Sequence, residues 1–311
     1  MSQRILVIGS TNVDLIVKTD RLPLPGETVI GGTFAQAKGG KGANQAVAAA
    51  RSGAEVTFLT AVGDDTYGPE SLAALEREGI DTSCSKTVPG YATGIALITV
   101  DVTGENCIVV APGANATLGP NQIETAFSKQ TDLAVCVCQL ETPIDGVERA
   151  MHMARKSGIT TILDPAPAAA LKHSLLSMTD CVTPNARETE ALTGIFPDTI
   201  ASAISAAGVL FEQGVRTVII TLGVDGAVLV DEFGSLALPA PKVTAVDTTA
   251  AGDAFTGCLG AVVAKGYPFR KALPYALCAG ALSVTTVGAQ PSIPNWNDLN
   301  ALKGKVFGLD D

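Results

Sequence analysis

Short apolar runs separated by stretches of helical periodicity recur along the chain, as expected for strands and helices alternating around a sheet buried on both faces. Ile5-Leu6-Val7-Ile8-Gly9 opens the series as a strand. Val56 to Ala61, Ala134 to Leu140, Thr161 to Leu163, Asp180 to Thr183, Val218 to Leu222 and Ala227 to Val230 continue it, and Val243 to Val246 also reads as strand. Helices are predicted over Gln45 to Arg51, Tyr67 to Glu78, from after Glu141 to about Ser157, and over Phe269 to about Val287. Phe255, Leu259, Val262 and Val263 mark a further one by their spacing. The pattern predicts an α/β fold with a mainly parallel central sheet.

Two stretches break this rhythm. Leu15-Ile16-Val17, a turn at Pro23-Leu24-Pro25-Gly26 and an extended Thr28-Val29-Ile30 make an excursion longer than an ordinary strand-to-helix connection. Gly94 to Val100 and Cys107 to Ala111 flank Gly104-Glu105 as a hairpin would. Paired, the two excursions would form a small sheet with an uncovered face, closing over a ligand or packing on a copy of itself. The expectation is one α/β unit over residues 1–311 with lid segments at about 12–38 and 91–112.

Composition narrows the partners. A chain of 311 residues with 47% hydrophobic side chains can bury a large core. A formal charge of -10 without any run of Lys or Arg argues against nucleic acid or an anionic membrane, so an anionic ligand must be held by local donors. The seven cysteines are odd in number and scattered, which suggests reduced thiols in a cytoplasmic protein. Cys136 and Cys138 fall in a buried strand pattern without a second ligand pair, so zinc is disfavoured. Met1-Ser2-Gln3-Arg4 leads directly into the first strand, and no apolar stretch is long enough to span a bilayer. His152 and His173 leave histidine-based catalysis little to draw on.

The most informative stretch is Asp247-Thr248-Thr249-Ala250-Ala251-Gly252-Asp253, read as a strand-to-helix turn. Ala250, Ala251 and Gly252 leave the first N–H groups of the helix open, where unpaired donors and a positive partial charge favour a phosphoryl group. Asp253 beside that anion site could take the proton of an attacking alcohol. Alternatively, Asp253 decorates a first helical turn that Thr249 caps.

Other polar groups sit at strand ends. Gly9 is not followed by the glycines of a dinucleotide fingerprint. Asn12 and Asp14, two apart in an extended segment, share a face and could grip adjacent hydroxyls, or form a polar turn. Gly39-Gly40-Lys41-Gly42-Ala43-Asn44 is not a Walker A loop; the glycines allow close backbone approach, with Lys41 and Asn44 as donors, or make a flexible turn. Glu141 and Asp164 follow strands, either facing ligand or capping helices. Asn185-Ala186-Arg187-Glu188 suits a hydrated Mg²⁺ and phosphates, and Gly223-Val224-Asp225-Gly226 is a turn that could lie flat on a nucleotide. Gly288-Ala289-Gln290-Pro291-Ser292 offers carbonyls and one hydroxyl.

Together, Asn12-x-Asp14, Gly39-Gly40-Lys41-Gly42-Ala43-Asn44-Gln45, Asn185-x-x-Glu188 and Asp247 to Asp253 resemble the ribokinase family of carbohydrate kinases, also called PfkB, over essentially the whole chain. Pro165-Ala166-Pro167-Ala168 and Gly288 to Ser292 add to the likeness. The resemblance implies a three-layer α/β/α fold with a small β-sheet lid that also clasps a second subunit into a homodimer. It implies ATP-dependent phosphorylation of the 5-hydroxyl of D-ribose, giving ribose 5-phosphate and ADP. It makes Asp253 the base and the backbone of Ala250, Ala251 and Gly252 the anion hole, with Asn12, Asp14, Gly40, Lys41, Gly42, Asn44 and Glu141 on the sugar. ATP would be lined by Asn185, Thr221, Leu222, Gly223, Val224, Asp225, Gly226, Gly252 and Leu277. Glu188 would place Mg²⁺ through water, and a monovalent cation, generally K⁺, would sit among Asp247, Thr249, Ser283, Thr286, Gly288 and Ser292.

Four positions depart from the family pattern. Ala250 replaces a common glycine, Leu277 a residue often polar, Asp164 a commoner Asn, and Lys38 an apolar or aromatic residue. They bear on nucleotide preference and sugar specificity. The alternatives are a 2-deoxyribose or nucleoside kinase of the same family, and a non-catalytic sugar or nucleotide sensor on the same fold.

Overall fold

Alternation along the first strand decides the layering. Ile5 and Val7 lie in one apolar cluster, and Leu6 and Ile8 in a second on the other face of the sheet. A strand covered on both faces must be apolar at every position, which is why these runs are continuous. The computed structural model describes residues 4–308, so Met1–Gln3 and residues 309–311 lie outside the described chain.

The strands are β1 (Arg4–Ile8), β2 (Asn12–Lys18), β3 (Thr33–Gly39), β4 (Glu55–Leu59), β5 (Ala61–Gly63), β6 (Lys86–Val88), β7 (Gly94–Val100), β8 (Asn106–Ala111), β9 (Leu133–Cys138), β10 (Thr160–Leu163), β11 (Cys181–Val182), β12 (Thr217–Thr221), β13 (Ala227–Asp231) and β14 (Gly234–Leu238). The helices are α1 (Lys41–Arg51), α2 (Tyr67–Arg77), α3 (Pro120–Lys129), α4 (Ile144–Lys156), α5 (His173–Leu176), α6 (Ala186–Thr193), α7 (Ile200–Glu212), α8 (Ala251–Ala264), α9 (Phe269–Ser283) and α10 (Trp296–Phe307).

Eight strands form the central sheet in the order β14-β13-β12-β11-β10-β9-β1-β4. Its β4-to-β12 portion is parallel, and β13 and β14 add an antiparallel edge. Side chains of α1, α8, α9 and α10 pack on one face, and those of α3, α4 and α7 on the other. The layers are those of the expected three-layer α/β/α fold.

The two excursions do pair. They form a separate four-stranded sheet, β3-β2-β7-β8, in which β2 is antiparallel to β3 and parallel to β7. Asp14 is in register with Ala37 and Ala96, whereas Lys38 is in register with Val13, so Lys38 lies on the face opposite Asp14. There Lys38 Nζ donates to the Glu70 carbonyl at 3.4 Å.

Some predicted elements shift. Thr28–Ile30 is not a strand: Ile30 is 95% exposed, and Gly31 and Gly32 follow with φ of 125° and 95°. The partner of β2 is instead the more polar β3, chosen by pairing rather than propensity. Val243 to Val246 is also irregular; the N–H groups of Val246 and Asp247 both turn to the Val284 carbonyl, at 2.7 and 3.2 Å, rather than to a neighbouring strand. Val56 to Ala61 splits, its end pairing in a two-stranded sheet with β6. The last long helix ends at Ser283, short of Val287, and β14, α3, α7 and α10 were not predicted. All seven cysteines are free, with Cys107 exposed and Cys84 half-buried. No helix among the described residues is long and apolar enough to cross a membrane.

Candidate active site

Helix α8 starts without a side-chain cap. Its N-cap is Ala250, held in the left-handed conformation with φ of 61°. The Thr249 hydroxyl, a cap on sequence grounds, donates instead to Asp247 Oδ1 at 2.6 Å. A Cβ added at Gly252 would meet nothing within 4 Å, so the first turn faces open space. Uncapped donors, a helix dipole and room for a ligand together make an anion site. Left-handed alanine costs about 1 kcal/mol. We expect Ala250→Gly to raise unfolding stability by up to about 1 kcal/mol in chemical denaturation while leaving turnover intact; a loss of stability would contradict the strain assigned to this position.

Asp253 is buried in that first turn and held from both sides. Asn44 Nδ2 donates to its Oδ2 at 2.9 Å and Gln45 Nε2 to its Oδ1 at 3.1 Å. Lys41 Nζ lies 3.9 Å from Oδ1. All three residues come from the start of α1, whose N-cap Gly40 has φ of 90°; a Cβ there would strike the backbone of Ser10, Thr11 and Asn12. Glycine at 40 thus allows α1 to begin against the β1–β2 connection. Burial alone would lower the Lys41 pKa, but Asp253, Asp164, Glu141 and Glu188 surround it and hold it above its ordinary value. The ammonium stays charged beside the anion site.

Behind Asp253 runs a buried amide chain. Gln45 Nε2 also donates to Asp164 Oδ2 at 2.7 Å, and Gln139 Nε2 donates to Gln45 Oε1 at 2.6 Å. Burial pushes the Asp164 carboxyl well above its usual range; Lys41 opposes this, while Asp253 and Glu188 add to it. Glu141 Oε2 accepts from the Ser10 hydroxyl and, at 3.0 Å, from the Lys41 N–H. Gly42 packs on Gly9 and donates its N–H to Ser10 Oγ at 3.4 Å.

Asn12 and Asp14 do share one face of β2. Gly39 is glycine because a Cβ there would collide with the Asp14 carboxylate. No protein hydrogen bond reaches that carboxylate among the described residues; burial, then the charges of Glu141 and Asp253, raise its pKa to about 6. A second polar atom is left over nearby: Asn44 Oδ1 is buried and has no partner among the described residues. Unpaired buried acceptors are costly unless a ligand supplies donors, and hydroxyl groups are such donors.

The residues expected on the nucleotide gather less tightly. Asn185 caps α6 in a reciprocal capping box: its Oδ1 accepts the Glu188 N–H at 3.0 Å, and Glu188 Oε2 accepts the Asn185 N–H at 2.9 Å. Thr221 bridges to Asn185 at the end of β12. Leu222 caps the 3-10 turn Gly223–Asp225, where Val224 is 90% exposed, and Gly226 closes it. Leu277, by contrast, is 5% exposed inside the apolar cluster of α8 and α9, which leaves it little surface for a ligand. Burial raises the Glu188 pKa against the lowering effect of the Asn185 N–H and Lys41.

Asp247 organises the last loop. Its Oδ1 accepts from the Thr249 N–H and hydroxyl, and its Oδ2 from the Gly288 N–H at 2.8 Å. Burial opposes these donors, which nonetheless hold its pKa below the usual carboxylate value. Ser283 and Ser292 are buried, their hydroxyls donating to the Gly280 and Ala289 carbonyls, and Thr286 donates its N–H to the Ser283 carbonyl. The oxygen-rich surroundings suit a hard monovalent cation. No group of three His, Cys, Asp or Glu side chains suited to a metal ion occurs among the described residues.

A family model described as "pfkB family carbohydrate kinase" matches residues 2–296. The chain belongs to the pfkB family of carbohydrate kinases. Family membership makes it a phosphotransferase with an alcohol acceptor. This pfkB kinase is 42% identical over 294 residues to a ribokinase of Haemophilus influenzae, covering 94% of this chain and 96% of that one. It is 38% identical over 297 residues to a deoxyribokinase of Salmonella typhi, covering 95% and 97%. Its fold matches that of a solved Arabidopsis thaliana ribokinase in complex with ribose and ATP, with TM-score 0.89, 29% identity and coverage of 97% and 99%.

Several residues of this pfkB kinase's site went unmarked in the sequence. Gln45 lay in a motif but carried no role, and Ser10, Gln139 and Asn115 carried none. Each is hydrogen-bonded to another side chain, Asn115 to Asn12. Such residues leave no signal in residue type or spacing; only the folded contact reveals them.

Proposed function

We propose that the chain transfers the γ-phosphoryl group of ATP to the 5-hydroxyl of D-ribose, giving ribose 5-phosphate and ADP. The observation that carries this reading is the pair of buried carboxylates, Asp14 without a donor among the described residues and Asp253 held by Asn44 and Gln45 at the uncapped start of α8. Asp14, Asn12 and Asn44 orient the sugar hydroxyls. The 5-oxygen attacks phosphorus, its proton passes to Asp253, and the bond from phosphorus to the β–γ bridging oxygen breaks. The backbone of Ala250, Ala251 and Gly252 and the Lys41 ammonium meet the charge on the transferring group.

Both carboxylate oxygens of Glu188 already accept from Asn185, a geometry that supports contact with Mg²⁺ through water rather than direct ligation. When bound, Mg²⁺ would neutralise phosphate charge. K⁺ among Asp247, Thr249, Ser283, Thr286, Gly288 and Ser292 would brace the loop that leads into α8. The separate sheet serves as a lid. Its outward face carries Val17, Phe34, Leu97 and Val109, all exposed, which supports a homodimer formed through it, and the seven free thiols support the cytoplasm as its location.

The deoxyribokinase relative keeps 2-deoxyribose as the second substrate to test. ADP release is measured with ATP and Mg²⁺ over ribose, 2-deoxyribose, fructose, adenosine and inosine, each in potassium and in sodium. We expect ribose to lead and potassium to raise its rate. A nucleoside in first place would reject the sugar assignment, and absence of ADP with every acceptor would favour a sensor.

A further inference from the structure

Asn12 is expected to touch the sugar, and its amide could point either way in a cleft rich in acceptors. Asn115 decides which end faces inward. It follows β8 and is buried, at 1% exposure. Its Oδ1 accepts the Thr11 N–H at 3.0 Å and its Nδ2 donates to the Thr11 carbonyl at 3.1 Å. A backbone N–H can only donate and a carbonyl can only accept, so this pair of bonds locks the Asn115 amide in one orientation. Asn115 Nδ2 lies 2.8 Å from the side-chain oxygen of Asn12. Because Asn115 presents a donor there, Asn12 must answer with its oxygen, and its Nδ2 is left as the end without a protein acceptor among the described residues.

We propose that Asn115 is a positioning residue for sugar selection, fixing Asn12 as a hydrogen-bond donor to the sugar. This rests on the sugar-kinase reading above. The cleft then presents an ordered pair on one strand: Asn12 Nδ2 donates to one hydroxyl oxygen, and the Asp14 carboxylate accepts from a neighbouring hydroxyl. A polyol fits because each hydroxyl can both donate and accept. A substrate lacking either hydroxyl leaves one of the two groups unpaired, which is how a polar site discriminates most strongly.

Gly94 protects the arrangement. A Cβ at position 94 would collide with both Asn12 Oδ1 and Asn115 Nδ2, so the bond between the two amides requires glycine there. Gly94 opens β7, Asn12 opens β2, and Asn115 follows β8; the amide pair therefore sits where three segments of the small sheet converge.

The test is a double-mutant cycle with Asn12→Ala, Asn115→Asp and the double variant, run on whichever acceptor the wild-type enzyme turns over best. A result that moves the substrate away from ribose thus leaves the cycle readable. Asn115→Asp replaces the donor with an acceptor, so the Asn12 amide turns round and offers oxygen to the sugar. We expect the acceptor KM to rise about 10-fold or more, from a lost and mispaired hydrogen bond. The KM for ATP should not move, and kcat should stay within a few-fold. In the Asn12→Ala background the Asn115→Asp change should cost clearly less than it does alone, the remainder being the bond to the Thr11 carbonyl that aspartate also loses. Gly94→Ala, which disturbs the same amide pair from the other side, should raise the acceptor KM in the same way, with a smaller effect when Asn12 is alanine because the new Cβ still meets Asn115 Nδ2 and the Thr11 carbonyl. Additive effects in both cycles, or an ATP KM that rises in parallel, would overturn the proposal and leave Asn115 as a packing residue.

Discussion

Asp253→Asn is expected to lower turnover about 1,000-fold, within the range general-base removal produces, while ATP and sugar affinities stay within a few-fold of wild type. The substitution preserves size and keeps one oxygen for Asn44 or Gln45, which hold the present carboxylate at 2.9 and 3.1 Å. What disappears is the proton acceptor beside the uncapped start of α8. The loss should therefore fall on kcat rather than on binding, the sign of a group that matters in the transition state. Steady-state rates combined with equilibrium binding of each substrate separate the two. Turnover near wild type would mean that the proton leaves by another route.

The second large effect concerns Asp14. Asp14→Asn should raise the acceptor KM by about 10- to 100-fold, because a hydrogen bond to a charged acceptor is replaced by a weaker neutral one. It should also stabilise the ligand-free protein. The folded Asp14 has a pKa of about 6 against an ordinary 3.8, so the native state holds a proton that the unfolded chain releases across that interval. Stability therefore falls as pH rises from about 4 to about 6, and the cost persists above. Removing the carboxylate should return on the order of 1–2 kcal/mol at pH 7, with the gain shrinking as pH falls towards 4. Sugar binding follows the opposite trend, since it needs the ionised form. The wild-type acceptor KM should climb by roughly tenfold per unit below pH 6, and this slope should vanish in Asp14→Asn. A KM indifferent to pH between 5 and 7 in wild type would remove Asp14 from the sugar site.

Stability and function pull apart at Asp14 for a reason visible in its surroundings. It faces Glu141 and Asp253 with no donor among the described residues to offset them, an arrangement that a folded chain tolerates for the sake of a ligand. Ala250 is a second such point, a left-handed residue at the helix start where the anion site needs its backbone placed.

The central sheet was legible because its strands are buried on both faces and therefore continuous in hydrophobicity, as Arg4–Ile8 and Leu133–Cys138 illustrate. The helix start within Asp247 to Asp253 was legible because small residues lead into apolar positions at helical spacing, although no strand precedes it as the strand-to-helix reading expected. Strand β3 was not, since Thr33–Gly39 is polar and mostly exposed, and its place is set by pairing with β2 rather than by composition. The Val243 to Val246 run misled because β-branched residues suggest a strand even where no neighbour among the described residues offers an edge, and here the N–H groups of Val246 and of the following Asp247 converge on the Val284 carbonyl. Asn185 and Glu188 were read as neighbours in one helical turn and are so, but as a capping box whose bonds are to each other. Lys38 looked like a departure bearing on specificity; the register with Val13 turns it to the face opposite Asp14. Leu277 was assigned to the nucleotide by position in a pattern, and the packing of α9 puts it in the core.

Product analysis tests the central claim most directly. With D-ribose, ATP and Mg²⁺, phosphorus and carbon NMR of the reaction should show one sugar phosphate, with the phosphoryl group on O5, formed one for one with ADP and not detectably by Asp253→Asn on the same timescale. A phosphoryl group on another hydroxyl, or ADP accompanied only by inorganic phosphate, would contradict the account of how this cleft holds its acceptor.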